Sequence, residues 1–362
     1  MKIAVVFGTR PEAIKLAPVI KALERRPGTH AVVISTGQHR EILDQVCAFF
    51  GIEPDYDLGI MVPGQDLFYI TNAVLATIQG ILDSEKPDLV IVQGDTTTAF
   101  AAALAAFYLQ TPVAHVEAGL RTADKRLPYP EEMNRRLITQ LADLHFAPTP
   151  SAAANLRREV RGGAAVYVTG NTVVDAMIMA GDRLPERDTK GKKPVLLTVH
   201  RRENMGAPLK RIYAAVKEIC SRNPNAIFCY PAHPRTTSEA RAAFAGIEQV
   251  SVMEPLDYPG LLGLMKSCYL VMTDSGGIQE EAPGFKKPVV VVREETERPE
   301  LIECGGGVLS GTDTQTIVEA VDLLLCDPGA YGKMIAAKNP FGDGNAAERI
   351  LDIIEGWGTC RR

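Results

Sequence analysis

Short apolar runs alternate with amphipathic stretches along nearly the whole chain, and this alternation limits the folds that the chain can adopt. Strands that are buried on both faces read as continuous apolar runs, so the pattern is typical of a parallel sheet covered by helices. In the first half, strands are predicted at residues 3–7, 30–35, 89–93, 113–116, 145–147 and 166–168. Helices are predicted at residues 13–25, 41–50, 66–84, 97–110 and 130–142.

The pattern restarts after a polar stretch at residues 183–193. The second series of predicted strands comprises residues 195–199, 226–230, 250–253, 270–273 and 289–292. Single hydrophobic cores stop growing near ~250–300 residues, so a chain of 362 residues is expected to form two domains. We predict an α/β protein with two doubly wound Rossmann-like domains, residues 1–169 and 170–345, and a ligand cleft between them. A last helix, residues 346–362, is expected to pack back on the first domain, and residues 183–193 are an alternative linker.

Charge and composition exclude several classes of protein. The 39 basic and 44 acidic residues give a net charge of -5, which provides no electrostatic basis for binding nucleic acid or an anionic membrane. There is no run of ~18 apolar residues, and the first apolar run is too short for a signal peptide, so we expect a cytoplasmic protein. The seven cysteines form no C-x-x-C pair, which is typical of reduced thiols. A dehydrogenase is not favoured, because no G-x-G-x-x-G follows a predicted strand.

Ser275, Gly276 and Gly277 directly follow a predicted strand and begin a predicted helix. Two glycines allow a tight turn, and the free N–H groups at a helix start bind anions. Glu280 and Glu281 follow within the first turns, so a carboxylate reaches the ribose of a nucleotide whose diphosphate lies on the glycines. The turn therefore favours a nucleotide sugar over a bare phosphate ester. The alternative is an ordinary strand-turn-helix corner with acids that suit the helix dipole.

Three acids are predicted to meet at the edge of the first sheet. Asp95 and Glu117 each follow a predicted strand, and Glu131 lies in the first turn of a predicted helix. Each alone is explained by helix capping or by the helix dipole, but clustered carboxylates raise one another's pKa, as general acid–base catalysis near neutral pH requires. A divalent metal site is the rival explanation. Arg10 and Lys15, after the first strand, supply neutralising cations, so no metal is expected.

Basic residues follow strands of the second predicted domain in a similar way. His200 ends one strand among arginines, where it can donate to a phosphate oxygen and offset charge on a departing diphosphate. His233 is a second histidine at a strand end and a weaker candidate for a substrate contact. Arg298 lies in a charged loop that can close over a ligand; the alternative is a solvated turn.

Motifs along nearly the whole chain resemble those of the non-hydrolysing UDP-N-acetylglucosamine 2-epimerases. The matching stretches are residues 7–15 (FGTRPEAIK), 94–98 (GDTTT), 115–122 (HVEAGLRT), 130–135 (PEEMNR), 200–204 (HRREN), 273–283 (TDSGGIQEEAP), 296–300 (TERPE) and 339–344 (NPFGDG). The resemblance implies a two-domain GT-B architecture, a homodimer, and interconversion of UDP-N-acetylglucosamine and UDP-N-acetylmannosamine without a cofactor. By position, it implies acid–base roles for Asp95, Glu117 and Glu131, a diphosphate contact for His200, and substrate contacts for Arg10, Lys15, Ser275, Gly276, Gly277, Glu281 and Arg298.

The chain departs from the family pattern at a few positions. In the loop before residue 130, family members often have a serine before the first proline, and this chain has Leu127 there. The resemblance therefore does not imply the sugar contact that this serine makes. Gln38 and His39 match a region through which some bacterial members are activated by UDP-N-acetylglucosamine, but Glu41 and Gly64 replace a glutamine and an arginine. The resemblance therefore implies weakened or altered allostery.

Three other functions are compatible with a nucleotide-sugar binding site. A related UDP-sugar, such as a 2,3-diacetamido uronate, can be the substrate of the same epimerisation. A glycosyltransferase of the same architecture requires an acceptor site, and no aromatic-rich groove is apparent in the sequence. A binding regulator without catalysis is disfavoured, because an anionic ligand alone favours fewer acids around it.

Overall fold

The structure, a computed structural model, describes residues 1–38, 40–160, 163–184, 189 and 191–361, without the side chains of residues 40–42, 182, 360 and 361. The chain divides into two compact units. The first unit comprises Met1–Met179 and Phe341–Arg362, and the second comprises Ala180–Pro340. Each contains a parallel sheet with helices on its faces, so the predicted pair of doubly wound α/β domains is confirmed.

Within the described residues, the first unit has seven parallel strands: β1 (Lys2–Phe7), β2 (His30–Ser35), β3 (Tyr56–Asp57), β4 (Leu89–Gln93), β5 (Val113–Val116), β6 (Leu144–Ala147) and β7 (Ala165–Val168). Their order in the sheet is β3-β2-β1-β4-β5-β6-β7. The order reverses between β1 and β4, which is where open α/β sheets bind ligands at their carboxyl edge. The turns after β1, β4 and β5 are therefore neighbours.

The helices before the second unit are α1 (Arg10–Arg25), α2 (Arg40–Phe50), α3 (Leu67–Glu85), α4 (Thr97–Tyr108), α5 (Glu131–Leu141), α6 (Pro150–Glu159) and α7 (Thr172–Ala180). Helix α4 is rich in buried alanines, whose small side chains let it pack closely on the sheet. Helix α1 begins at Arg10, earlier than the predicted residue 13. Thr9 and Glu12 form a capping box there, with Pro11 in the first turn.

The described part of the second unit has six parallel strands: β8 (Lys193–Thr198), β9 (Ala226–Pro231), β10 (Val250–Met253), β11 (Leu270–Thr273), β12 (Val289–Val291) and β13 (Gly307–Leu309). Their order is β10-β9-β8-β11-β12-β13, so β8, β11 and β12 are neighbours. Its helices are α8 (Ala207–Arg222), α9 (Pro234–Ala243), α10 (Tyr258–Ser267), α11 (Gly276–Glu281), α12 (Pro299–Glu303), α13 (Thr314–Cys326) and α14 (Pro328–Ile335). Buried aliphatic and aromatic side chains form its core.

The chain returns to the first unit for its last helix, α15 (Ala346–Arg361). Arg26, at the end of α1, forms ion pairs with Glu348, Asp352 and Glu355 of α15. The sequence pattern places the domain boundaries at residues 169 and 345, whereas the first unit extends to Met179 and resumes at Phe341. Backbone pairing holds these segments together, because the N–H of residue 171 donates to the carbonyl of residue 341 at 2.7 Å.

None of the helices in the described ranges combines the length and the apolar character needed to cross a membrane. The six cysteines with described side chains are free thiols.

Candidate active site

Asp95 follows β4 in a turn that begins with Gly94 in the left-handed backbone region (φ 69°). The Asp95 Oδ2 atom accepts hydrogen bonds from Arg135 Nε at 2.8 Å and from Arg135 Nη2 at 2.7 Å. The Asp95 backbone carbonyl accepts from Asn134 Nδ2 at 2.9 Å. Two residues of α5 thus hold both the carboxylate and the backbone of Asp95, and neither is among the predicted site residues.

Glu117 follows β5 and contacts two side chains through one carboxylate oxygen. Its Oε2 atom forms an ion pair with Lys15 Nζ and accepts a hydrogen bond from Gln93 Nε2 at 2.8 Å. The pair is largely buried, with 12% of the Lys15 side chain and 7% of the Glu117 side chain exposed. Glu117 has a φ of 62°, a strained conformation for a residue with a Cβ atom. Lys15, predicted as a substrate ligand, therefore lies against a predicted catalytic acid.

Two adjacent glutamates begin α5 and have different surroundings. Glu132 is fully buried, and it accepts hydrogen bonds from the Thr122 N–H at 3.1 Å and from Arg135 and Arg136. Glu131 has a buried Oε2 atom that no described residue contacts by a hydrogen bond. A buried carboxylate oxygen without a donor is costly, so Glu131 is suited to meet a ligand, whereas Glu132 holds the loop.

Glu12 joins the turn that precedes Arg10 to the turn that carries Asp95. Its Oε2 atom accepts from the N–H groups of residues 8 and 9 at 3.1 and 2.8 Å, and its Oε1 atom accepts from Thr96 Oγ1 at 2.6 Å. Burial raises the pKa of the Glu12 carboxyl, against the opposing effect of these hydrogen bonds. Arg10 is the first residue of α1 and is partly exposed. The buried Glu12 carboxylate thus joins the turn before Arg10 to the turn that carries Asp95.

Asp274 organises the carboxyl edge of the second sheet. It is fully buried and accepts hydrogen bonds from the N–H groups of His200 and Arg201, each at 2.9 Å, and from Asn204 Nδ2 at 3.0 Å. The His200 Nδ1 atom lies 3.2 Å from Asp274 Oδ1. Burial alone raises the pKa of the Asp274 carboxyl, but the hydrogen bonds and charge of His200 outweigh it and lower the pKa. Asp274 thereby fixes the His200 ring, 39% of whose side chain is exposed.

Two guanidinium groups converge on Gly276, the first residue of α11. A Cβ atom on Gly276 would lie 3.5 Å from Arg201 Nη2 and 3.9 Å from Arg298 Nη2. Ser275 precedes this helix start, and its N–H donates to Thr273 Oγ1 at 2.9 Å. Because Gly276 has no side chain and two guanidinium groups lie beside it, the start of α11 is open and positively charged. Such a helix start suits a diphosphate.

Arg298 is held by a buried ion pair with Glu280 of α11. Its Nε atom donates to Glu280 Oε1 at 2.5 Å, and both side chains are largely buried. The loop around Arg298 is fixed as well, because Thr296 Oγ1 donates to Gln279 Oε1 at 2.6 Å. Glu281, the predicted ribose ligand, is also buried, next to Glu280 in α11. The loop is thus anchored on α11 rather than free in solvent.

His233 lies beside His200, with ring centroids 6.1 Å apart and ring planes 20° from parallel. Its Nδ1 atom accepts a hydrogen bond from the Arg235 N–H at 3.2 Å and caps α9. Burial and the neighbouring His200 lower the pKa of His233, which favours the neutral ring. His233 therefore caps α9 and lies at the same edge of the sheet as His200.

The predicted allosteric residues are only partly described. Gln38 Oε1 accepts from Thr98 Oγ1 at 3.0 Å, and its carbonyl accepts from Gln65 Nε2 at 3.1 Å. His39 and the side chain of Glu41 lie outside the described residues. Gln38 thus contacts the first turn of α4, the helix that follows Asp95. Across the described ranges, no group of three or more His, Cys, Asp or Glu residues is arranged to hold a metal ion.

Two buried histidines on β5 and β6 predict an acid-sensitive first unit. Burial and the neighbouring His145 lower the pKa of His115 to about 3. Burial and the charge of Arg121 lower the pKa of His145 to about 4. In the unfolded chain both titrate near ~6.5. The unfolded state therefore takes up protons first as pH falls, and stability decreases below pH ~6.5 by about 1.4 kcal/mol per histidine for each pH unit.

Denaturant unfolding followed by the fluorescence of Trp357, the single tryptophan, measures this effect because α15 belongs to the first unit. Between about pH 6.5 and pH 5, the wild type should lose stability more steeply than the His145→Phe variant, by about 1.4 kcal/mol per pH unit. Parallel pH dependences would show that His145 takes up its proton in the folded state too.

The two parallel-sheet α/β units define a class of protein, the GT-B-like proteins, with a positively charged helix start in one unit and the carboxylates of Asp95, Glu117 and Glu131 in the other. A sequence model of the family UDP-N-acetylglucosamine 2-epimerase matches residues 21–355. The chain belongs to this family and is an isomerase. The family resemblance of the motifs is thereby confirmed.

Individual relatives are similar over their full length. The UDP-N-acetylglucosamine 2-epimerase of Salmonella typhimurium is 48% identical over 372 residues, which span 99% of each chain. A solved structure from Listeria monocytogenes matches with a TM-score of 0.93 and 44% identity, covering 99% of this chain and 96% of the other. The UDP-GlcNAc 2-epimerase of Neisseria meningitidis, solved bound to UDP-GlcNAc, matches with a TM-score of 0.90 and 42% identity, covering 98% and 100%.

Proposed function

We propose that the chain interconverts UDP-N-acetylglucosamine and UDP-N-acetylmannosamine by eliminating UDP to a glycal and adding it back. The observation that carries this proposal is the buried, unpartnered Oε2 atom of Glu131, in the same unit as Asp95 and Glu117. A substrate that brings a proton to this oxygen satisfies it, and inversion of a sugar carbon needs such a proton acceptor.

The chemistry explains why both an anion site and carboxylates are needed. The hydrogen on C2 of the sugar is not acidic, because no carbonyl group is bonded directly to that carbon. When the C1–O bond to UDP breaks, the electron pair leaves with UDP, and the oxocarbenium-like C1 acidifies the C2–H. A carboxylate then takes this proton and the glycal forms. Protonation of C2 on the opposite face and return of UDP to C1 complete the inversion.

In the first unit, we assign proton removal and return to the set of Asp95, Glu117 and Glu131. Lys15 balances the charge of Glu117, so that the acids coexist on one edge. Arg10 is assigned a substrate contact on the same edge.

In the second unit, we assign the diphosphate to the start of α11. Ser275, Gly276 and Gly277 offer backbone N–H groups, and Arg298 and His200 offset the charge that develops on departing UDP. Arg201 adds a second guanidinium, and its buried Nε atom has no hydrogen-bond partner among the described residues. Glu281 is assigned the ribose hydroxyls, and His233 is assigned a further substrate contact beside His200.

We further propose a cytoplasmic homodimer that supplies UDP-N-acetylmannosamine for cell-surface polysaccharide. The large apolar side chains of Phe68, Phe107 and Tyr108, on α3 and α4, are 80%, 55% and 68% exposed, and such a surface suits a second copy of the chain. Sedimentation equilibrium tests the dimer; a monomer at micromolar concentration would contradict it.

Incubation with UDP-N-acetylglucosamine in deuterated water tests the proposed reaction. We expect deuterium at C2 and the manno epimer with UDP still attached, both detectable by NMR and mass spectrometry. Free N-acetylmannosamine with UDP would indicate hydrolysis instead. Absence of exchange would reject this substrate, and the same assay with a UDP-2,3-diacetamido uronate would then identify the related sugar.

A further inference from the structure

His115 donates a hydrogen bond to the backbone turn that carries Asp95. It lies on β5, is fully buried, and has its Nε2 atom 2.7 Å from the carbonyl oxygen of Gly94. Because a carbonyl oxygen only accepts, the Nε2 atom carries the hydrogen, and the ring is the Nε2–H tautomer. The lowered pKa of His115, about 3, agrees with a neutral ring at physiological pH.

The turn from Gly94 to Asp95 is fixed at consecutive peptide groups. The Gly94 N–H donates to the Val116 carbonyl at 2.9 Å, and the Gly94 carbonyl accepts from His115. The next carbonyl, that of Asp95, accepts from Asn134 Nδ2 at 2.9 Å. Glycine in the left-handed region has little conformational preference of its own, so these bonds define the orientation of the peptide between Gly94 and Asp95.

We propose that His115 is a positioning residue for Asp95, acting through the Gly94 carbonyl; this inference rests on the proposed role of Asp95 in epimerisation. Loss of the bond frees the peptide to rotate, and the Asp95 carboxylate shifts relative to the sugar. A displacement of the order of 1 Å at a reacting group lowers the rate by up to about 100-fold. Substrate affinity changes little, because the other contacts of the nucleotide remain.

His145 on β6 provides a matched control. It is the direct register partner of His115, is also fully buried, and also has a lowered pKa. Within the described ranges, none of its hydrogen bonds reaches the turn at Gly94 and Asp95. A purely structural role of buried histidines therefore predicts similar consequences at both positions, whereas a positioning role predicts a loss of rate at His115 alone.

The test compares C2 deuterium exchange in three variants. Glutamine can place its amide nitrogen where the imidazole Nε2 lies, and phenylalanine keeps the ring volume without a donor. We expect His115→Phe to lower kcat about 10- to 100-fold with KM within about twofold of the wild type, and His115→Gln to restore kcat to within about threefold. His145→Phe should leave kcat within about twofold of the wild type.

The proposal would be overturned by a His115→Phe variant with the kcat of the wild type, or by equal losses in His115→Phe and His145→Phe. If His115→Phe does not fold, His115→Asn replaces it, because its shorter amide does not reach Gly94. Equal kcat values for the Asn and Gln variants would then overturn the proposal. Wild-type exchange is measured first, so a failure of the proposed function appears as absent exchange in the unmutated protein.

Discussion

Replacing Glu117 by glutamine is expected to lower C2 deuterium exchange about 1,000-fold while UDP binding stays within about twofold of the wild type. The substitution keeps the size of the side chain, so the φ of 62° at this position and the contact with Gln93 can be retained. It removes the carboxylate that can accept a proton and leaves Lys15 opposite a neutral amide. Loss of a general base or acid typically costs about 10²–10⁴-fold in rate.

Glu85→Gln is the matched control for this variant. Glu85 is another glutamate of the first unit that contacts both a lysine, Lys2, and a second polar side chain, Tyr56. It precedes β4, at the edge of the sheet opposite to Asp95, so turnover should not change. UDP binding is measured by calorimetry and exchange by NMR. A Glu117→Gln enzyme with normal exchange would remove this residue from the mechanism.

Replacing Arg298 by alanine is expected to destabilise the second unit by about 3–5 kcal/mol and to abolish measurable UDP binding. The substitution removes the guanidinium from Glu280, whose side chain is 2% exposed, and breaking one side of a buried ion pair is costly because a charge remains in the interior. Calorimetric unfolding, with amide hydrogen exchange of β11 and β12, measures the change in stability.

A double variant separates stability from ligand binding. Arg298→Met combined with Glu280→Gln removes both charges and keeps side-chain volume, so stability should return to within about 1 kcal/mol of the wild type. UDP binding should remain at least about 10-fold weaker, because one of the two guanidinium groups near Gly276 is still missing. Arg222→Ala, at an exposed ion pair of the same unit, is the control and should change neither property appreciably. Normal UDP binding by the double variant would contradict the proposed role of Arg298.

The sheets could be predicted from the sequence because long buried strands read as apolar runs. Strands β3 and β13 are not predicted, because they are too short to form an apolar run. Strand β3 has two residues, and β13 has only Gly307, Val308 and Leu309. Helix α6 was also missed, although Thr149 and Pro150 at its start are ordinary helix signals.

The partners of the predicted acids were harder to find. Arg135 and Gln93 contact Asp95 and Glu117 from distant positions in the chain, and a single sequence contains no signal for such pairs. Glu12 is different, because a threonine followed three residues later by glutamate is a capping signal that can be read locally. Its second contact, with Thr96 on another turn, is visible only in the structure.

The return of the chain to its first unit sets the order in which the molecule can be completed during synthesis. Helix α15 carries the partners of Arg26, and it leaves the ribosome only after the whole of Ala180–Pro340 has been made. Domains generally fold as units during translation, so the second unit can form as an uninterrupted segment. The unit that begins the chain is therefore the last to be finished.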